Sequence, residues 1–219
     1  MNGFFLRPGP SGLELVQGEN AKSGIRADFL TGPMRQLVKS AGRGQPLAKA
    51  LGISGKEEFR VVDGTAGLGK DAIFLAALGC RVTAVEKNEW IHKLLEDGLN
   101  RARNDDDIGP LVSRIELVHA DSEVYLKRLT GDARPDAVYL DPMFPLPKKS
   151  ALPKKEMQIF RAFLEGEYDN VALLKAALAA SKGRVVVKRP SWADPVLEPV
   201  QHRFEGKLVS FDSYLSSAG

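Results

Sequence analysis

Four carboxylates in this sequence stand where short apolar runs end, and one of them opens a segment suited to activating an aromatic amine. Asp63 follows Arg60-Val61-Val62, and Glu86 follows Arg81-Val82-Thr83-Ala84-Val85. Asp121 lies just beyond Ile115-Glu116-Leu117-Val118, and Asp141 follows Ala137-Val138-Tyr139-Leu140, where it begins Asp141-Pro142-Met143-Phe144-Pro145. The exocyclic amino group of a base is a poor nucleophile, because its lone pair is delocalised into the ring. A carboxylate and a backbone carbonyl in the Asp-Pro turn can accept its two N–H bonds. That orients the nitrogen lone pair toward an electrophilic methyl group and stabilises positive charge as the bond forms. Pro142 stiffens the turn, and Phe144 offers a face on which a base can stack. A proline-rich turn leaving a sheet, with Phe144 plugging the core, is the plainer interpretation, but it accounts less well for the residue types. Asp141, Pro142 and Phe144 are therefore the candidate catalytic residues. The motif reaches an amino group on some nucleic-acid base and does not separate adenine, cytosine and guanine. Met143 stands where many amino methyltransferases carry a second proline.

The segment Asp63-Gly64-Thr65-Ala66-Gly67-Leu68-Gly69 supplies the other half of a site. Gly64, Gly67 and Gly69 let the backbone turn tightly and approach a ligand. Their order is Gly-x-x-Gly-x-Gly, not the Gly-x-Gly-x-x-Gly dinucleotide fingerprint. Gly69-Lys70 is followed by Asp71, so no P-loop closes the turn. Asp63 beside the glycines would repel a pyrophosphate but suits the sulfonium and amino group of S-adenosylmethionine. Glu86 can accept both hydroxyls of an adenosine ribose, a contact shared with NAD sites, and Asp121-Ser122 can reach the adenine amino group. Each acid alone could be a solvated loop carboxylate; four at successive strand ends point to a cofactor.

Basic residues concentrate at Lys148, Lys149, Lys154 and Lys155, directly after the Asp-Pro motif, and at Lys188-Arg189. Beside a base-binding pocket these could grip phosphates flanking a flipped-out nucleotide. The net charge of +3 over 219 residues proves no such partner by itself. With 43% hydrophobic and 27% charged residues and no apolar run of spanning length, a membrane protein is not expected. The N-terminus does not read as a secretory signal, and the location expected is cytoplasmic. Cys80 is the only cysteine, which excludes an internal disulfide and a cysteine-cluster metal site. His92, His119 and His202 lack metal-ligand spacing, so no metal is expected. Trp90 and Trp192 read as packing residues, although Trp192 beside Lys188-Arg189 could stack on RNA.

These residues need elements to position them. From Phe59 onward strands alternate with helices: Asp71 to Leu78, Glu89 to Arg103, Ser122 to Leu129 and Val171 to Ala180 have helical spacing, and Arg184-Val185-Val186-Val187 adds a fifth strand. Gly79 suits a helix C-cap. The alternation implies an α/β fold with a mostly parallel sheet covered by helices on both faces, which gathers ligands at the carboxyl ends of the strands. Residues 1–55 read as an N-terminal extension, with Leu13 to Val16 and Ile25 to Phe29 as short strands, possible partners in a hairpin, and Met34 to Ser40 and Pro46 to Leu51 as short helices. Residues 56–219 read as the main domain, with a final edge strand within Lys207 to Tyr214.

Taken together, Asp63 to Ala72 and Asp141-Pro142-Met143-Phe144-Pro145 resemble the RsmJ family of bacterial small-subunit (16S) ribosomal RNA guanine-N2 methyltransferases. Leu78-Gly79-Cys80-Arg81-Val82, Glu86-Lys87-Asn88, Lys148 to Met157 and Val185 to Pro190 extend the resemblance, which spans about Asp28 to Pro190. It implies a Rossmann-like class I methyltransferase that converts S-adenosylmethionine to S-adenosylhomocysteine and makes N2-methylguanosine. The partner implied is small-subunit rRNA or the small ribosomal subunit. The cofactor positions implied are Lys70-Asp71, Glu86-Lys87, Asp121-Ser122 and Asp141. Two departures stand out: the N-terminal portion is shorter than is usual in the family, and Asp121 stands where some members carry serine. Methylation of a small molecule or a protein amide, a non-catalytic RNA-binding role and an NAD-dependent oxidoreductase are the competing functions.

Overall fold

Strand-forming runs of valine and isoleucine alternate with amphipathic helices, and the chain buries both sets around one twisted sheet. The computed structural model describes residues 3–22, 24–53, 55, 58–144, 155–164, 169–206 and 208–216, with the side chains of 155–157 outside it. The elements run β1 (Phe4–Gly9), β2 (Gly12–Gln17), α1 (Gly32–Lys39), α2 (Pro46–Leu51), β3 (Arg60–Asp63), α3 (Lys70–Ala77), β4 (Arg81–Glu86), α4 (Glu89–Ala102), α5 (Gly109–Val112) and β5 (Ile115–His119). They continue with α6 (Ser122–Lys127), β6 (Ala137–Leu140), α7 (Lys155–Phe163), α8 (Asn170–Ala180), β7 (Arg184–Pro190), β8 (His202–Glu205) and β9 (Val209–Leu215).

The seven-stranded sheet has the order β5-β4-β3-β6-β7-β9-β8. The pairs from β5 to β7 are parallel, while β9 runs antiparallel to both β7 and β8. Strand order reverses at β3, which is flanked by β4 and β6, and that switch point opens a crevice at the carboxyl ends of the strands. This is the mostly parallel α/β arrangement expected from the alternation, in the Rossmann-like form that the resemblance implies. The tail differs from expectation: β9 lies inside the sheet and β8 forms the edge, because the chain doubles back through β8 before pairing with β7.

Helices cover both faces. Val61, Ala137, Tyr139 and Val186 pack with Ile73 and Leu75 of α3 and with Leu47, Ala50 and Leu51 of α2 on one side. On the other, Val62, Val138, Val185 and Val187 meet Leu174 and Ala177 of α8 and Leu126 of α6. Helix α4 starts where Asn88 accepts hydrogen bonds from the backbone N–H groups of Trp90 and Ile91 at 3.0 and 3.2 Å. It buries Ile91, Leu94, Leu95 and Leu99, each burial contributing about 1.5–3 kcal/mol. Gly79, at φ 94°, ends α3 in the left-handed conformation expected of its cap. Cys80 is fully buried, which pushes its thiol up to about 12 and leaves it inert.

The N-terminal hairpin forms from different residues than the periodicity suggests. β1 pairs antiparallel with β2, while Ile25 makes only an isolated bridge to Leu15. The expected strand Ile25 to Phe29 instead turns inward, so that Ala27 and Phe29 enter the main core. Among the described residues no helix is long and apolar enough to cross a membrane.

Candidate active site

The glycine turn after β3 is a scaffold before it is a binding loop. Its ends are tied to the neighbouring strands: the N–H of Gly64 donates to the Tyr139 carbonyl at 2.9 Å, and that of Ala66 to the Val85 carbonyl at 3.1 Å. Gly69 adopts φ 78°, and a Cβ there would lie 2.5 Å from Leu95 Cδ1, so both backbone and packing demand glycine. Around this turn lies a cleft of about 1010 Å³. It is lined by Gly64 to Leu68, Lys70, Asp71, Glu86 to Asn88, Asp121 to Glu123, Asp141 to Phe144 and Lys188. Arg26 and Asp28 from the N-terminal segment, Phe160, Arg161 and Leu164 from the α7 region, and Asp169 and Asn170 at the start of α8 complete the wall.

The strand-end acids are not equivalent. Glu86 is buried with both oxygens oriented: Oε2 accepts from the Gly67 N–H at 2.9 Å and Oε1 from the Asn88 N–H at 2.8 Å. Burial raises its carboxyl above the usual range against the pull of those bonds. Each oxygen keeps a lone pair for a further donor, which fits a pair of ribose hydroxyls. Asp121 caps α6, accepting from the Val124 N–H at 3.1 Å, and lies in the cleft wall. Ser122 is buried, and its hydroxyl donates to the Gly64 carbonyl at 2.6 Å. Its hydrogen is thus spent on fastening the glycine turn to α6, while its oxygen keeps lone pairs that can accept from an amino group.

Asp63 lies beneath the cleft wall, 1% exposed. Its Oδ1 accepts from the Thr65 N–H at 3.1 Å, while Oδ2 is buried with no hydrogen-bond partner. Burial, reinforced by the charges of Asp71 and Asp141, pushes this carboxyl up to about 8. An orphaned carboxylate oxygen beneath a glycine turn is an unmet demand for positive charge. The residues present thus fit S-adenosylmethionine: a buried acid lacking a partner lies behind the turn, and Glu86 is oriented with a lone pair on each oxygen to spare.

Asp141 is held from two sides. Its N–H donates to Thr65 Oγ1 at 2.6 Å, locking the Asp-Pro turn to the glycine turn. Its Oδ2 accepts from Lys188 Nζ at 2.7 Å. The same ammonium donates to Asp71 Oδ2 at 2.9 Å, and Tyr139, fully buried, donates its hydroxyl to that oxygen at 2.7 Å. Enclosure in the cleft raises the Asp141 carboxyl above its usual range against the opposing pull of Lys188. Burial also works against the Lys188 charge, but Asp71 and Asp141 outweigh it and hold the ammonium above the ordinary lysine range.

Two basic residues do not stand where the sequence reading put them. Lys188, expected on RNA phosphates, is the bridge between Asp71 and Asp141. Arg189 is 4% exposed and faces away from solvent. Its Nε donates to Asp212 Oδ2 at 2.6 Å and its Nη1 to the Ala193 carbonyl at 2.6 Å, so it joins β7 to β9 and is not available to a ligand. Lys148, Lys149 and Lys154 lie outside the described residues, as does the side chain of Lys155. Lys70 and Lys87 line the cleft. Trp192 is 52% exposed, whereas Trp90 stacks on Phe163 of α7 at 5.5 Å.

Sequence reasoning missed Thr65, Arg161 and Asn170. The Thr65 hydroxyl could have been suspected from its place between acid and glycines. Arg161 donates to the Phe144 carbonyl at 2.8 Å and thereby braces the Asp-Pro segment from α7. Nothing in its local sequence signals that role, which depends on a contact across 17 residues.

The chain has recognisable relatives among known proteins. The family model described as "Putative SAM-dependent methyltransferase" matches residues 2–216. Ribosomal RNA small subunit methyltransferase J of Pseudomonas aeruginosa is 44% identical over 219 residues, covering 98% of this chain and 83% of its own length. The protein of the same name from Pectobacterium atrosepticum is 48% identical over 207 residues, covering 93% of this chain and 83% of its own. Among solved structures, a SAM-dependent methyltransferase from Neisseria gonorrhoeae superposes with a TM-score of 0.77 at 32% identity, covering 99% of this chain and 84% of that one.

Proposed function

The chain belongs to the SAM-dependent methyltransferase family that includes Ribosomal RNA small subunit methyltransferase J, and from that membership we propose that it methylates the exocyclic N2 of a guanosine in small-subunit (16S) rRNA, making N2-methylguanosine. The observation that carries the chemistry is Asp141, held by Thr65 and Lys188 at the end of β6 and facing the cleft that the glycine turn borders. The RNA target rests on the relatives' names and on the motif resemblance. The substrate is the rRNA or the small ribosomal subunit, and the place of action is the cytoplasm. In this reading residues 56–219 are the catalytic domain and residues 1–55 an extension that contributes Arg26 and Asp28 to the cleft.

S-adenosylmethionine supplies an electrophilic methyl group on a sulfonium and leaves as S-adenosylhomocysteine. Gly64, Gly67, Gly69 and Lys70 would hold it by backbone approach, Glu86 and Lys87 at the ribose, Asp121-Ser122 toward the adenine, and Asp71 and Asp141 by negative charge, with Asp63 ionising as the cation arrives. The Asp141 carboxylate and the Asp-Pro backbone accept the amino N–H bonds of the base, and Phe144 packs against its ring. Pro142 fixes the backbone that presents both acceptors. The lysines of 148–155 take the flanking phosphates.

Mass-spectrometric analysis of small-subunit rRNA from a strain lacking the gene tests the reading. N2-methylguanosine should fall by one residue per subunit and return with the wild-type gene but not with Asp141→Ala. Unchanged methylation in the deletion strain would refute the rRNA target.

A further inference from the structure

We propose that Lys188 is the positioning residue of the methyl-transfer site, pinning one oxygen of the Asp141 carboxylate so that the anion's other oxygen accepts the amino N–H of the base. This rests on the reading that Asp141 receives the amino group. The geometry comes from the sheet itself. β6 and β7 are parallel neighbours with Leu140 opposite Val187, so the next residues, Asp141 and Lys188, stand side by side as the strands leave the sheet. The ammonium then bonds Asp141 Oδ2 and Asp71 Oδ2, and Tyr139 holds Asp71 from below. The result is a chain of hydrogen bonds, Tyr139–Asp71–Lys188–Asp141, running from the first turn of α3 to the Asp-Pro turn. A carboxylate free to rotate would present its oxygens at random; one held by a charge-assisted bond of 2.7 Å presents a fixed acceptor.

Charge supports the same assignment. The groups acting on Asp141 are Lys188 from β7, Asp71 from α3 and Arg161 from α7, with Asp63 and Tyr139 deeper in the cluster. Lys188 favours the anion, whereas enclosure and Asp71 both oppose it. Without this lysine Arg161, which braces the Phe144 carbonyl, is the remaining cation among the described residues that opposes protonation of Asp141. A protonated Asp141 loses its value as a charged acceptor and cannot stabilise the positive charge that develops on the amino nitrogen.

The test is single-turnover methyl transfer at saturating cofactor and RNA, from pH 5 to 9, for the wild type, Lys188→Met, Lys188→Arg and Asp141→Ala. Asp141→Ala should be inactive at every pH; if it is active, the reading of Asp141 itself fails. With Asp141→Ala inactive, Lys188→Met should lose at least about tenfold in plateau rate and shift its acid limb upward by about 1–3 pH units, the effect of one close opposite charge. Lys188→Arg should restore the limb, since it restores the charge. A Lys188→Met limb that coincides with the wild type, however slow the reaction, overturns the proposal. So does a defect confined to RNA affinity with a shallower salt dependence, the signature of a phosphate contact. Should Lys188→Met fail to fold, Lys188→Arg decides alone: an unmoved limb with a reduced plateau supports the assignment, and a moved limb refutes it.

Discussion

Replacing Asp63 by asparagine should make the unliganded protein more stable at neutral and mildly alkaline pH while weakening its hold on the cofactor. Asp63 is buried, with Oδ2 unpartnered, and its carboxyl is pushed from 3.8 up to about 8. A carboxyl raised on folding contributes its full stability below the unfolded value and loses it as pH rises through the folded value. The window here runs from about pH 4 to about pH 8 at 1.36 kcal/mol per pH unit. Between pH 5 and 8 the wild type therefore loses about 4 kcal/mol that Asp63→Asn, which cannot ionise, does not lose. For a chain of this size 1 kcal/mol is worth about 2 °C in Tm, so the melting points should diverge by about 8 °C across that window. Asparagine keeps an acceptor for the Thr65 N–H, so the turn itself should survive. Paired thermal melts of the unliganded proteins at half-unit pH steps supply the measurement. Calorimetry at pH 8 should show affinity for S-adenosylmethionine about tenfold weaker in Asp63→Asn, roughly 1.4 kcal/mol of lost charge attraction. A Tm difference that stays flat from pH 5 to 8 would show that Asp63 ionises freely when folded, and the account of the orphaned oxygen would be wrong.

Arg189→Met should destabilise the protein by about 3–5 kcal/mol in urea unfolding, because among the described residues it leaves buried Asp212 with Arg203 alone as a cationic partner. Its effect on methyl transfer by the folded fraction should be small. Gly69→Ala should cost about 1–3 kcal/mol and lower Tm, since φ 78° and the contact with Leu95 both reject a side chain. Replacing Lys148, Lys149, Lys154 and Lys155 by alanine should weaken RNA binding and reduce its salt slope by roughly one per lysine that meets a phosphate. Filter binding across a salt series reads this directly; an unchanged slope would remove these lysines from the RNA interface.

Much of the fold was legible because the sheet imposes its period on the sequence. Ala137-Val138-Tyr139-Leu140 is buried on both faces, and such a run cannot be read as anything but a central strand between turn signals. The acids at the strand ends were legible for the same reason: a polar residue that interrupts a buried run must lie where the strand leaves the sheet. The N-terminal hairpin was misjudged because Leu13 to Val16 and Ile25 to Phe29 have equal local claims to strand structure. What decides between them is Phe29, whose burial beneath Gly69 of the glycine turn takes the second segment into the main core. Helix α7 and its Arg161 were invisible in the same sense. Phe160 and Phe163 read as a modest apolar face, and only packing against Phe4, Leu68 and Trp90 brings that helix over the cleft.

The pair Lys188-Arg189 shows where stricter use of the period would have gone further. As a basic doublet at a strand end it suggests a phosphate grip, and that reading treats both cations as facing one way. Adjacent residues on a strand point to opposite faces, so one of the two had to turn from whatever the other met. The residues before them, Val185-Val186-Val187, are buried on both faces, which leaves no solvated side for either cation to reach by default. Each found a carboxylate instead: Lys188 takes the partly exposed Asp141 and Asp71 at the cleft, and Arg189 takes the buried Asp212 of β9 on the other side. Two cations closing a strand whose centre is buried imply acids waiting for them. In this chain Asp212 holds the sheet together, Asp71 and Asp141 share Lys188, and Asp141 is the acid proposed to receive the base.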